Sequence, residues 1–308
     1  MSLDIDAVLD RRRLKRRLAF WRTSAIVVFV AVAVVLAQWA FGDLNPLGRG
    51  DHVARLNVVG VIVEDQDVLD RLDEIAEDDA AKALLIYIDS PGGTVVGGES
   101  LFKAFRRVAA EKPVVAVMGT TAASAGYMVA LGADSIFAHE GTVTGSIGVL
   151  LQTAEITDLL ERLGVNAEAI KSAPLKAVPS PLEELTPSGR AAAQEVVDQM
   201  YAMFVEMVGE RRGLSGDELR AVSDGRVFTG RSAVTHRLVD AIGGEREARE
   251  WLESEHSISA DLPSIDRDVK RDSSVIGRLA RALGGKTLFS ERLMLDGLVA
   301  VWHPDLRS

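Results

Sequence analysis

The sequence predicts an α/β fold preceded by one transmembrane helix. Three observations carry this. From about residue 53 onward, apolar runs of strand length alternate with helix-length amphipathic stretches, the signature of crossover units and a mostly parallel sheet. The strand candidates are apolar along their whole length, as expected when both faces of a sheet are covered. Near the N-terminus, "TSAIVVFVAVAVVLAQWAFG", residues 23–42, is uncharged and nearly all apolar.

That stretch spans roughly 30 Å as a helix, the thickness of a bilayer core. Trp21, Trp39 and Phe41 stand near its ends, where interfacial aromatics belong. Arg11, Arg12, Arg13, Lys15, Arg16, Arg17 and Arg22 precede it and Asp43 follows. The positive-inside rule therefore puts residues 1–22 in the cytoplasm and the chain beyond residue 43 on the other side. A cleaved signal peptide is the rival reading. Its apolar region would be about 7 to 15 residues with small residues before the cut. Here the run is longer and Gln38 and Trp39 occupy that place, which favours a retained anchor.

Residues 43–52, "DLNPLGRGDH", read as a linker. "VARLNVVGVIV" then reads as a strand. "DVLDRLDEIAED" has helical spacing, with Val68, Leu69, Leu72 and Ile75 on one side. "ALLIYIDS" is a second strand ending in the turn "PGG". "GESLFKAFRRVAAE" is helical, "PVVAVMG" is a third strand, and Ser124 opens the next helix. "SIFAHEG", "GSIGVLL" and "AEAIKS" read as short strands, and "AEITDLLERLG" as a helix. The long stretch from Pro187 to about Gly213 is one helix, with Thr186 as N-cap, Pro187 in the first turn and Gly213 as stop. Residues 215–223 and 245–255 are helical too. The globular domain thus covers 53–256, and 257–308 reads as a helical tail, amphipathic over 274–302.

Composition excludes several functions. The 308-residue chain is 47% hydrophobic and 26% charged, which fits a globular protein. A net charge of −10 lacks the basic surface that nucleic-acid binding requires. Cysteine is absent, so there is no disulfide framework and no thiolate nucleophile. The five histidines are scattered without ligand spacing, and no metal or other cofactor is expected. "GGKT" at 284–287 lacks the first glycine of a phosphate-binding loop, with Ala280 in its place.

The chemistry concentrates in two small-residue segments. "IDSPGGTVVGGES" ends a strand with Gly92 and Gly93, whose amides can hold a developing oxyanion. "GTTAASAGYMVALGAD" carries a single serine, Ser124, where a strand becomes a helix. A cap is the bland reading of that serine, and a tight turn that of the glycines. If Ser124 is a nucleophile, the Ala125 amide beside it completes a two-donor site with the glycine turn. The serine needs a base, yet there is no GxSxG elbow, and His139 reads as a surface residue. Only Lys171 and Lys176 lie between residues 113 and 269. Lys176, in "SAPLKAV", has Leu175, Ala177 and Val178 as neighbours. Such an apolar setting favours the neutral amine that could accept a proton.

These residues resemble the signal peptide peptidase A group, the S49 serine peptidases. "DSPGG", "AASAGYMVALGADSIFAHEGTVTGSIGV", "KSAPLKAVPSP", "LTPSGR", "DGRVFTGRSA" and "LVDAIGG" occur in that family's order and spacing, from about residue 54 to 250. The resemblance implies a crotonase/Clp-protease-like core of repeated ββα units. It gives Ser124 as nucleophile, Lys176 as general base, Gly92 and Gly93 in the oxyanion turn, and Ser146 as a hydroxyl that helps position the lysine. It also implies a homo-oligomeric ring in which serine and lysine meet across a subunit interface. The setting would be the inner membrane with the catalytic domain on the periplasmic or extracytoplasmic side, and the substrates apolar peptides such as cleaved signal peptides. This chain departs from the family pattern at Ala125 and Arg237, where glycine is usual, and at Ala177, where aspartate is frequent. Two alternatives stand beside the peptidase: an inactive membrane scaffold of the same fold, and a crotonase-type enzyme acting on acyl-CoA. The second wants acids near the glycine turn, where only Glu99 is available.

Overall fold

The computed structural model describes residues 21–30, 33, 50–269 and 298–301. Residues 21–30 and 33 are helical, with exposed apolar side chains such as Ile26 and Phe29. Among the described residues no helix is long and apolar enough to cross a membrane. The remainder of the expected span at 23–42 lies outside the described residues, as do residues 1–20 and 43–49.

From Asp51 onward the chain forms one compact unit. Strand β1 (His52–Val59) pairs in parallel with β2 (Ala81–Ser90) through α1 (Gln66–Glu77). The short β3 (Gly92–Thr94) leads into α2 (Val95–Glu111), which returns the chain to β4 (Val114–Ala123), parallel to β2. Helix α3 (Ala125–Ala130) follows at once, then β5 (Ser135–Ala138) and β6 (Val143–Gly145), both parallel to β4. After β7 (Leu150–Leu151) come α4 (Thr157–Arg162), α5 (Pro187–Arg212) and α6 (Gly216–Val222). Strand β8 (Val227–Thr229) pairs antiparallel with β6. Helix α7 (Gly230–Thr235), β9 (Ala241–Ile242), α8 (Glu245–His256) and β10 (Ser264–Asp266) complete the main sheet, ordered β10-β1-β2-β4-β5-β9 with β6 and β8 branching from β4.

The continuous apolar strands are explained by cover on both faces. Along β2, Leu84, Ile86 and Ile88 enter a large core under α1, α2, α3 and the C-terminal half of α5. The alternate residues Ala83 and Leu85 enter a smaller core with Ala248 and Leu252 of α8. Each large side chain buried in this way is worth about 1.5–3 kcal/mol. Helix ends follow the expected chemistry. Asp65 accepts the Asp67 N–H at α1, Thr186 accepts the Gly189 N–H at α5, and Gly213 closes α5 at a φ of 62°. Lys112 caps α1 from a distance, donating to the carbonyls of Ile75 and Asp78 at 2.7 Å each, and burial pulls its ammonium below the ordinary lysine range.

Two sequence expectations fail. "AEAIKS" forms no strand: Ile170 is 99% exposed, and its period-two pattern finds no edge to pair with. Of the tail expected to be helical over 257–308, residues 270–297 and 302–308 lie outside the described residues; the described parts carry strands, β10 beside β1 and β11 (Leu298–Val301) in a second sheet ordered β3-β11-β7. The short edges of β3 and β7 have free pairing positions that an apolar Leu-Val-Ala-Val run satisfies, which outweighs helical periodicity.

Arg237 follows the end of α7 with a φ of 60°, the left-handed conformation in which helix C-termini favour glycine. Arg237→Gly should therefore raise stability by about 0.5–1 kcal/mol, read as a higher melting midpoint. Tyr127 is fully buried, and its hydroxyl donates to the Leu238 carbonyl at 2.9 Å. Burial pushes the phenol well above its ordinary range, so it stays protonated. Tyr127→Phe removes that bond and should cost about 1–2 kcal/mol in urea unfolding.

Candidate active site

Ser124 lies at the single-residue turn between β4 and α3. Its φ of 56° and ψ of −119° are disfavoured for a residue with a side chain, at a cost on the order of 1–3 kcal/mol. It makes no side-chain cap bond to α3, so the capping explanation of this serine does not hold. The residue is 1% exposed. The turn is a nucleophile-elbow conformation built without the GxSxG sequence.

Several bonds hold the elbow in place. At Ser90 the β2–β4 register shifts, and Asp89 Oδ1 accepts the Thr121 N–H at 3.0 Å. Beyond that point β4 pairs with β6, and the Ser124 N–H donates to the Gly145 carbonyl at 2.8 Å. Thr142 Oγ1 donates to the Gly119 carbonyl and Thr144 Oγ1 to the Ala122 carbonyl, both at 2.7 Å. Sequence reading passed over these two threonines. Their spacing of two within "TVTG", which puts both on one face of a strand, was the available signal.

The glycine turn stands against the elbow. A side chain at Gly93 would begin 1.8 Å from the Ile62 carbonyl, and Gly92 has a φ of 121°, so neither position admits another residue without displacement. The Gly92 N–H donates to Ser90 Oγ at 3.1 Å, while the Ile62 N–H donates to the Gly92 carbonyl at 2.9 Å. A methyl on Gly126 would lie 2.9 Å from the Ser90 carbonyl, which places the turn directly over the start of α3. Ala125, where the family pattern has glycine, is fully buried. Its methyl is accommodated by Gly98 of α2, whose own Cβ would come within 3.1 Å of it.

The other candidates divide. Ser146 is next to the elbow's acceptor Gly145, has a φ of 51°, and donates its N–H to the Arg226 carbonyl at 2.8 Å. Lys171 is bound to Glu183. Lys176 is exposed, and its ammonium has neither a hydrogen bond nor an ion pair among the described residues; no bond joins it to Ser124 within the chain. The apolar burial expected of Lys176 is thus not supplied by one chain. Ala177 beside it has a φ of 59°. His139 is exposed, and Glu99 is paired with Lys103 one helical turn along α2.

The sequence profile of peptidase family S49 matches residues 106–259, and that of Clp protease matches residues 63–141. A protein of Synechocystis sp. named as a protease, slr0021, is 37% identical over 70% of this chain and 78% of its own length. A protein of Enterococcus faecium named as a signal peptide peptidase SppA is 33% identical over 67% of this chain and 64% of its own. The chloroplastic serine protease SPPA of Arabidopsis thaliana is 28% identical over 79% of this chain and 36% of its own. The half-chain profile match and the 37% identity carry the same conclusion as the glycine turn and the serine elbow: the chain belongs to peptidase family S49 and is a serine peptidase with a Clp-protease-like α/β sheet.

Proposed function

We propose that the protein is a membrane-anchored endopeptidase that uses Ser124 as nucleophile and Lys176 as general base on apolar peptides, cleaved signal peptides among them. The observation that carries this reading is the strained conformation of Ser124, whose hydroxyl is left out of helix capping at the mouth of a glycine turn. Strain of this kind persists where a reactive group must be aimed. Lys176 is favoured over Lys171 because Lys171 is already committed to Glu183.

In the proposed reaction the uncharged Lys176 amine takes the Ser124 hydroxyl proton as Oγ attacks the scissile carbonyl. The oxyanion is stabilised by the Ala125 N–H and an amide of the glycine turn. Collapse expels the amine product, which takes its proton from the Lys176 ammonium. Water, deprotonated by the regenerated amine, then releases the acyl group. Ser146, beside the elbow, helps position the lysine.

Assembly into a homo-oligomer supplies what one chain lacks. From Leu150 to Val196 the chain exposes Leu159, Leu163, Val165, Ile170, Leu175 and Leu182, and α4 buries none of its residues. Apolar exposure on this scale is that of a contact surface, and the proposal assigns it to another copy of the chain. In the proposal, a neighbouring subunit buries the arm and brings its Lys176 to Ser124. Residues 23–42 anchor each chain, with the N-terminus in the cytoplasm and the peptidase domain across the membrane. Substrates bind extended, as a strand that takes the place the chain's own Leu298–Val301 occupies between β3 and β7, antiparallel to both.

Ser124→Ala and Lys176→Ala should each lower peptide turnover by about 10³-fold or more, and a fluorophosphonate should label the wild type but not Ser124→Ala. Coassembling the two inactive variants should restore about a quarter of the activity, the statistical share of sites that take one intact side chain from each neighbour. No restoration would place the pair within one chain, and unaltered turnover in either variant would end the dyad. For the substrate strand, whose successive amides face β3 and β7 in turn, N-methylation of an apolar peptide should raise KM about tenfold at the amides that lie between the two strands and leave those beyond them within twofold. The same small response at every amide would exclude the strand mode.

A further inference from the structure

Ser90 is fully buried between the two halves of the site. Its Oγ accepts the Gly92 N–H at 3.1 Å and is 3.3 Å from the Gly92 carbonyl. Its backbone carbonyl is the atom that a methyl on Gly126 would strike. One side chain therefore ties the glycine turn while the same residue's backbone rests on the first turn of α3, two positions beyond Ser124.

The turn's amides are not equivalent. Pro91 has no N–H. The Gly92 N–H is held by Ser90, and the Thr94 N–H donates to the Ile62 carbonyl at 2.8 Å. The Gly92 carbonyl and the Thr94 N–H both face Ile62, so strand alternation turns the N–H of Gly93 to the opposite side. That side is the one occupied by β11, with Ala300 in register with Gly93. A peptide carbonyl in that strand position is thus presented to Gly93 and not to Gly92.

We infer that Ser90 is a positioning residue: by holding the Gly92 amide inward it fixes the turn so that Gly93 alone of the two glycines donates to the oxyanion. The inference rests on the Ser124 mechanism proposed above. It assigns roles that the sequence left shared between Gly92 and Gly93.

The test uses the full chain with a fluorogenic apolar peptide and the matching peptide aldehyde, whose adduct with serine carries an oxygen in the oxyanion position. Ser90→Ala should lower kcat about tenfold, less than the loss of a donor outright. KM should stay within about twofold, and aldehyde inhibition should weaken in proportion to kcat. Ser90→Thr keeps the hydroxyl and should retain more activity than Ser90→Ala, although it adds a methyl at a fully buried position. Pure packing requires the reverse order, so Ser90→Thr falling to or below Ser90→Ala overturns the inference. So does a Ser90→Ala kcat within twofold of wild type, or a loss of activity that only follows the unfolded fraction in a thermal melt. Ser124→Ala is run alongside: if it still turns over peptide, the mechanism fails first and this inference with it.

Discussion

The structure depends on a backbone conformation that a serine does not prefer. At Ser124 the chain must leave a ten-residue central strand and begin a helix within one residue, with φ at 56° and ψ at −119°. Nothing local favours this. What holds it is the sheet on both sides: Asp89 grips Thr121, Thr142 and Thr144 grip the carbonyls of Gly119 and Ala122, and Gly145 takes the Ser124 amide. Each bond is worth about 0.5–1.5 kcal/mol, so the four together match or outweigh the local strain. The bulge that separates the two halves of β4 exists for the same reason. It lets the first half pair with β2 and β5 while the second half takes on β6 and returns to β2 at Ala122, opposite Ser90.

The chain divides in how completely its folding is internal. Residues 51–149 bury most of their apolar side chains within the chain, against each other and against α5 and α8, on both faces of the sheet. The arm that follows does not. It places Ile170 and Leu163 in solvent and presents Lys176 on a segment without a core of its own. On the proposed reading the two halves of the catalytic pair therefore have different origins. Ser124 is fixed by intrachain packing, while the environment of Lys176 is completed by association. On that reading activity is a property of the assembled state.

What the sequence revealed follows the same division. The strands and helices of residues 52–138 were legible because burial on both faces writes continuous apolar runs, and Leu72 and Ile75 show the helical stripe plainly. The position of Ser124 was legible from the small residues around it; its conformation was not, because the sheet rather than a glycine pattern imposes it. "AEAIKS" read as a strand because alternation alone does not show whether a partner edge exists. Residues 298–301 read as part of a helix because their pairing with β3 and β7 joins residues some 150–200 positions apart, a relation no local window contains. Ser90 carries no sequence signal of its own, since a serine before proline and two glycines also describes an ordinary turn.

Backbone strain separates function from architecture more sharply than burial does. Among the described residues, five other than glycine have positive φ: Ser124, Ser146, Ala177, Arg237 and Ser257. Arg237 and Ser257 end helices, where a left-handed residue closes the last turn and needs no further reason. The other three terminate no helix. One is the expected nucleophile, one the expected supporting hydroxyl, and one the immediate neighbour of the expected base. They come from three separate segments of the sequence. Local preference opposes each, and an αL alanine has no side-chain hydrogen bond to offset the cost as asparagine or aspartate would. The frequent aspartate at the position of Ala177 in the family pattern is thus explained by conformation as readily as by charge. The common factor among the three is the reaction they are proposed to share, and that coincidence of strain argues for Lys176 where its exposed side chain in the single chain does not.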